Sequence, residues 1–302
     1  MAQTEKQKRL QTFFANYFDN FGKIFTVNIL ISLPFLIFGG IITLISYFIG
    51  VINIFICFLL IPLMSPFFAG ITYICKKVTL NQPFRPVKDF VKGIKDNWKY
   101  FLINSFILYA IMSGLWLTFS FYRNNLSNPA IIAAFVFSVI FTVYFMFMEF
   151  LIPVMTVSVE LKFVEILKNS VVLALAGFIN NLKTIISIML VISVIFTIFQ
   201  LTNNIIAGLI ITGILFITLL PTFCVYIVTF NSYQTVEKYV ITPYAEAHIS
   251  EKVKKEKEEA VSEIDMNELA ELANGNPDEY VFVNGRMIKR SAIQKILDKN
   301  KH

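Results

Sequence analysis

PVKDFVKGIKDNWK, Pro86 to Lys99, decides how the chain is read. It carries four lysines in 14 residues, inside a 302-residue sequence that is 56% hydrophobic, has 32 Phe and is only 15% charged. Val87, Phe90, Val91, Ile94 and Trp98 recur at helical spacing on one side. Lys88, Asp89, Lys92, Lys95, Asp96 and Lys99 fall around the other. Pro86 suits the first helical position, where a missing N–H costs nothing. A helix of this pattern lies along a membrane surface, with its apolar face toward the acyl chains and its lysines among the headgroups. Trp98 then sits at headgroup depth. Lys88, Lys92, Lys95, Trp98 and Lys99 are the candidate membrane-interface residues.

Outward from this segment lie apolar runs long enough to cross a bilayer. From Ile24 to Cys75 there is no charged residue. That is too long for one crossing, which needs roughly 20 helical residues. Gly50 is the expected turn, giving spans near 24–49 and 51–75, with Gly39-Gly40 as the alternative break. Pro62 and Pro66 should kink or interrupt the second span. After Lys99 come spans near 100–122 and 130–158, separated by the polar turn RNNLSNP. ELKFVEILKNS is partly amphipathic and leads to spans near 184–201 and 205–230, with a turn at Gln200, Asn203 and Asn204. Residues 1–23 form a further interfacial helix: Leu10, Phe13, Phe14, Tyr17, Phe18 and Phe21 recur at steps of three and four behind Lys6, Lys8 and Arg9. The expected fold is therefore all-α and polytopic, with about six transmembrane helices over 24–230. The mean hydropathy of +0.68 agrees, since a soluble domain of this size needs more polar surface. The charged start MAQTEKQKRL, with no short apolar run and cleavage site after it, predicts an uncleaved signal in the first spans.

The cations fix the sidedness. Lys and Arg number four in 1–23, seven in 76–99 and three in 160–183, while the opposite turns hold Arg123 alone, read as a snorkelling interfacial residue. This asymmetry puts both termini and both basic loops in the cytoplasm of a multi-pass cell-membrane protein. The basic segments meet anionic lipid headgroups, at roughly 1 kcal/mol per cation near the surface. Nucleic acid is not the expected partner, because the aromatics between the lysines share one face. The entrances GIKDNWK and GFINNLK match at Gly93/Gly177, Asn97/Asn181 and Lys99/Lys183, and DNFGK precedes the first span. The match reads either as a generic device, since a helix entering the membrane favours an amide and a cation at headgroup level, or as an internal duplication.

Residues 231–302 change character, with 11 of the 26 basic and 13 of the 20 acidic residues. EKVKKEKEEAVSEIDMNELAELANG predicts a charged helix, with Ser262 as a cap for a second piece and Gly275 as its stop. EYVFVNGRMIKR alternates about Asn284-Gly285, a hairpin signal, and RSAIQKILDK closes with a short helix. The expected result is a small cytosolic α+β appendage. Cys57, Cys75 and Cys224 show no paired spacing, and the histidines are His248 and His302, so no metal site and no cofactor are expected. No catalytic residue stands out.

Glu149, in VYFMFMEFLIPVM, is the acidic residue set well inside an apolar run, 11 residues before Glu160. A carboxylate there must be paired, protonated or facing a wet cavity. It is the candidate substrate-binding residue, read as a proton, cation or solute site or as a structural bond to a neighbouring helix. Asn28, Asn104 and Ser105 lie near span starts and read as interhelical glue. Pro153 and Pro221 lie within spans and read as packing irregularities or kinks.

Ser65 to Phe106, SPFFAGITYICKKVTLNQPFRPVKDFVKGIKDNWKYFLINSF, resembles the YesL-like family of bacterial integral membrane proteins. The resemblance rests on the asparagine-bearing first span (Val27-Asn28-Ile29-Leu30) and the proline followed by an A-G-x-x-Y stretch and a basic turn. It rests also on Asp89, Phe90, Ile94, Lys95, Asn97, Trp98 and Lys99 as a D-F-x-x-x-[FI]-K-x-N-W-K segment. ILKNSVVLALAGFINNLKTIISIML is similar to the family's second half, so the likeness covers roughly residues 10–230. The chain departs in an extra apolar stretch, about 40–62, and in its tail. The resemblance implies a multi-span protein, often encoded near carbohydrate-uptake systems, and supplies no catalytic residues. Two expectations follow. The first is a non-enzymatic accessory protein of a solute-uptake or envelope system, docking a transporter or other protein partner through its tail. The alternative is a small permease that uses Glu149.

Overall fold

The computed structural model describes residues 2–49, 54–123, 129–202, 204–244, 271–283 and 286–300. They divide into two compact units, Met1–Tyr239 and Val240–His302. The first is built from α1 (Ala2–Phe18), α2 (Phe21–Ile49), α3 (Ile54–Phe58), α4 (Leu60–Thr79) and α5 (Pro86–Arg123). It continues through α6 (Pro129–Ser158), α7 (Phe163–Ala176), α8 (Phe178–Leu201), α9 (Ile205–Thr218) and α10 (Leu220–Val236). Among the described residues, five helices are long and apolar enough to cross a membrane: Phe21–Ile49, Ile54–Thr79, Pro86–Tyr122, Ile131–Ser158 and Phe178–Leu201. The pair α9–α10, bent by 51°, passes the same test as one broken unit. Large apolar side chains such as Phe48, Ile179 and Ile205 stand on the outer surface. Water would penalise that surface, while lipid tails satisfy it. The chain is a multi-pass helical membrane protein.

Several elements differ from the sequence expectation. The interfacial segment and the third span form one unbroken helix, α5, since nothing between Trp98 and Phe101 stops the helical backbone. Its expected apolar face is split: Phe90 is buried against α4, while Val87, Val91 and Trp98 stay outside. Lys88, Lys92, Lys95 and Lys99 are all exposed, and Lys99 Nζ stands 5.9 Å from the Trp98 ring. The first helix divides likewise. The helix expected over 1–23 is broken at Asp19 and Asn20, so Phe21 opens α2; on α1, Leu10, Phe14 and Phe18 face outward, but Phe13 and Tyr17 pack on α10. Phe13 stacks on Tyr226 at 4.7 Å and its carbonyl accepts the Tyr226 hydroxyl at 3.0 Å. Arg9 Nη2 donates to Asn231 Oδ1 at 3.2 Å, so α1 is fastened to the bundle. Gly39 and Gly40 lie inside α2, not at a break. Gly50 and the Arg123 side chain lie outside the described residues. The final apolar stretch, expected to end near Phe230, remains helical to Val236.

Prolines and their partners explain the breaks. Pro62 has no N–H for the Phe58 carbonyl, and the helix is interrupted at Leu59. Pro66 likewise leaves the Pro62 carbonyl without its helical donor, and Ser65 Oγ supplies one at 2.9 Å, so α4 runs on. At Leu219, between α9 and α10, the amide of Asn28 enters the gap. Its Nδ2 donates to the Thr218 carbonyl at 3.0 Å, and its Oδ1 accepts from Thr222 N–H at 3.0 Å and Thr222 Oγ1 at 2.7 Å. In a continuous helix Thr222 N–H would bond the Thr218 carbonyl. Asn28 replaces both partners of that missing bond from another helix, and it is fully buried.

The helices α4 and α5 cross at glycines. A Cβ on Gly93 would meet Tyr73 Cβ at 2.7 Å and Gly70 Cα at 3.0 Å. Small residues that let backbones approach are the usual solution in lipid, where dispersion replaces the hydrophobic force between helices. The matching position of the second entrance, Gly177, instead separates α7 from α8, and Asn181 Nδ2 donates across that break to the Ala174 carbonyl at 3.1 Å. The matched residues thus serve different local structures.

In the second unit, strands β1 (Tyr280–Val283) and β2 (Arg286–Lys289) pair antiparallel, with Tyr280 opposite Lys289 and Val283 opposite Arg286, and α11 (Arg290–Asn300) follows. The Asn284-Gly285 turn, Ser262 and most of the charged helix lie outside the described residues. The helix that reaches Ala273 ends before Gly275, whose φ of 135° favours glycine. Arg290 Nη1 donates to the carbonyls of Leu272 and Asn274, and its guanidinium pairs with Glu279. Lys289 donates to Asp278 and holds that carboxyl below its ordinary range.

Candidate functional site

Glu149 lies on α6, nine residues before its end at Ser158, or about 14 Å along the axis at 1.5 Å per residue. Its partner is Asn104 of α5. Asn104 Nδ2 donates to Glu149 Oε2 at 2.8 Å. An amide beside a carboxylate turns its NH2 toward it, which leaves the amide oxygen for other use. Asn104 is only 8% exposed. Asn104 Oδ1 and Glu149 Oε1 are both buried, with no hydrogen-bond partner among the described residues. Pro153, four residues on, has no N–H to give the Glu149 carbonyl, so the backbone at the same point also has an acceptor released from the helical ladder.

The pair stands in the wall of a cavity of about 430 Å³ between α4, α5, α6, α8 and α10. Phe68, Phe101, Leu108, Ile188 and Val228 give it a mostly apolar lining. The volume lies within the usual range of small-molecule sites, about 300–1,000 Å³. On the side of the α6 C-terminus, Lys76 Nζ donates to the Val157 carbonyl at 2.8 Å, answering one of the carbonyls a helix end leaves open. Lys77 pairs with Asp89 at 3.0 Å, and Asp89 also accepts from Arg85 N–H at 2.8 Å. These bonds tie the ends of α4, α5 and α6 together beside the cavity.

Of the side chains expected to join helices, Asn104 links α5 to α6 through Glu149 and Asn28 links α2 to α9 and α10, whereas Ser105 donates to the Leu102 carbonyl of its own helix. Lys88, Lys92, Lys95, Trp98 and Lys99 do not line this cavity. The lining residues Ser65, Thr72, Cys224 and Thr229 escape sequence reading, because helical periodicity identifies a face without identifying what it meets. Pro153 at four residues from Glu149 is a readable signal of an open carbonyl. Among the described residues, no cluster of three or more His, Cys, Asp or Glu is placed to hold a metal. No protein-family model, no curated protein and no solved structure matches this chain.

Proposed function

We propose that this chain is a cell-membrane protein that binds a small solute between its transmembrane helices and moves it across the bilayer, as a small permease. The observation that carries this reading is the Asn104–Glu149 pair in the wall of the cavity. Packing alone would be served at lower cost by two leucines, since polar groups in hydrocarbon are costly. The Glu149 carbonyl released by Pro153 and the broken α9–α10 pair supply the free backbone groups that binding sites at membrane depth use.

In this reading the bilayer is crossed six times, by α2, α3–α4, α5, α6, α8 and the α9–α10 pair, with both termini in the cytoplasm. The support is the imbalance of Lys and Arg between alternate loops. The exposed Lys88, Lys92, Lys95 and Lys99 then meet anionic headgroups. The YesL-like resemblance fits a multi-span protein working beside an uptake system. The test is solute uptake by proteoliposomes over a broad panel. Wild-type protein is expected to accumulate at least one solute, and Leu108→Trp, which fills the cavity, is expected to fall to the level of empty liposomes. No flux by the wild type over the panel contradicts the permease reading.

A second reading, a non-enzymatic accessory protein, draws on the separate compaction of Val240–His302. A cytosolic appendage of this kind would dock a protein partner. Pull-downs with and without residues 245–302 decide it: partners lost with the tail support docking, and identical partner sets exclude it.

A further inference from the structure

The hydrogen-bonding groups around the cavity are unusually one-sided. Ser65 Oγ gives its hydrogen to the Pro62 carbonyl at 2.9 Å, Thr72 Oγ1 to Phe68 at 2.7 Å, Ser105 Oγ to Leu102 at 2.7 Å and Thr229 Oγ1 to Val225 at 2.8 Å. Each hydroxyl has one hydrogen and spends it on its own helix, which leaves only lone pairs. Asn104 spends one of its two amide hydrogens on Glu149, and its Oδ1 has no partner among the described residues, nor has Glu149 Oε1. The Cys224 thiol is the other polar group in the wall and is a weak donor. Among the described residues, no Lys, Arg or His lines the cavity. The wall therefore accepts hydrogen bonds and scarcely donates them. The protonation state of Glu149 changes only part of this, because Asn104 Oδ1 is an acceptor in either state.

We infer that the cavity takes a solute with an apolar body and a hydrogen-donating head, above all a primary ammonium group, and rejects carboxylates and phosphates. This rests on the solute-binding reading above and names its ligand class. An ammonium brings three donors and no acceptor, matching Asn104 Oδ1 and Glu149 Oε1, while its charge meets the carboxylate. The apolar lining takes the body. An anion would face unpaired lone pairs, with only one Asn104 N–H and the weak Cys224 thiol as donors to replace its hydration, a cost no apolar contact offsets. A free sugar fits poorly as well, since it carries many hydroxyls and few would find partners among Phe68, Phe101, Leu108, Ile188 and Val228.

The probe is radiolabelled phenethylamine, bound at equilibrium to the full chain in nanodiscs. Its competitors are 2-phenylethanol, 3-phenylpropionate and trimethyl(2-phenylethyl)ammonium, which keeps the charge and loses every N–H. Saturable binding is expected, with the alcohol competing, the carboxylate at least tenfold weaker than the amine, and the trimethylated cation weaker than the amine. Glu149→Gln keeps the shape and removes the charge, and should weaken the amine at least tenfold, in line with the larger contribution of charged hydrogen bonds. Leu108→Trp should abolish binding of every probe while both residues of the polar pair are retained, so a fold defect at position 149 does not decide the outcome. Competition by the carboxylate equal to the amine, lost in Leu108→Trp, overturns the ligand class and leaves the cavity as a solute site. Probe binding unaffected by Leu108→Trp overturns both.

Discussion

Replacing Asn28 by leucine is expected to destabilise the transmembrane unit by about 3 kcal/mol or more, the largest effect of any single polar substitution in the bundle. An average interhelical side-chain bond in a membrane contributes about 0.6 kcal/mol. Leaving a buried backbone group without a partner costs more, about 1–3 kcal/mol. Asn28→Leu does this to the Thr218 carbonyl and the Thr222 N–H together, and removes the acceptor of Thr222 Oγ1 as well. Thr222→Val deletes only the hydroxyl bond and should cost about 1 kcal/mol. Thermal unfolding in detergent, followed by loss of the monodisperse size-exclusion peak, ranks the variants. An Asn28→Leu protein as stable as Thr222→Val would mean that α9 and α10 close their own gap without the amide.

The second large effect is expected at the glycine crossing. Gly93→Val places a branched side chain where Tyr73 Cβ already lies 2.7 Å and Gly70 Cα 3.0 Å from the new Cβ. Neither is the loose end of a flexible chain, so α4 and α5 must separate along their contact. Overpacking of this kind costs about 1–3 kcal/mol and sometimes more, and here it also displaces Phe90, which packs against the same turn. Gly39→Ala and Gly114→Ala are the controls, since both sites are helical and open. They should be neutral or stabilising by up to ~1 kcal/mol through helix propensity. If Gly93→Val unfolds at the same temperature as these controls, the close crossing is not a structural requirement.

How much of this could be read from the sequence differs by element. Uninterrupted apolar length locates a span well, so the fourth span, expected at 130–158, is α6 at Pro129–Ser158. Breaks inside apolar sequence are less legible. The stretch around Leu219 is apolar on both sides, and Pro221 marks a kink without saying that Asn28, 190 positions before Thr218, fills it. The unbroken α5 is hidden for the converse reason: a change from amphipathic to fully apolar patterning looks like a boundary, although the backbone has no cause to stop there. At the candidate site the cost of burying a carboxyl points to Glu149 and to its need for a partner. Asn104 cannot be chosen from the sequence, because it lies 45 residues away and the pairing exists only once α5 and α6 are side by side. The one-sided chemistry of the wall is equally hidden, since whether a serine or threonine has a hydrogen to offer depends on the carbonyl it meets on its own helix.

The six-span reading holds only if α9–α10, whose second helix supplies Cys224, Val228 and Thr229 to the cavity wall, crosses the membrane as one bent span. Epitope tags at the two ends of the chain, probed by antibody in right-side-out and inside-out vesicles, test this directly. Both tags are expected to react only in inside-out vesicles. Tags on opposite faces would make the pair a re-entrant loop in a five-span protein, with α10 returning to the side it left.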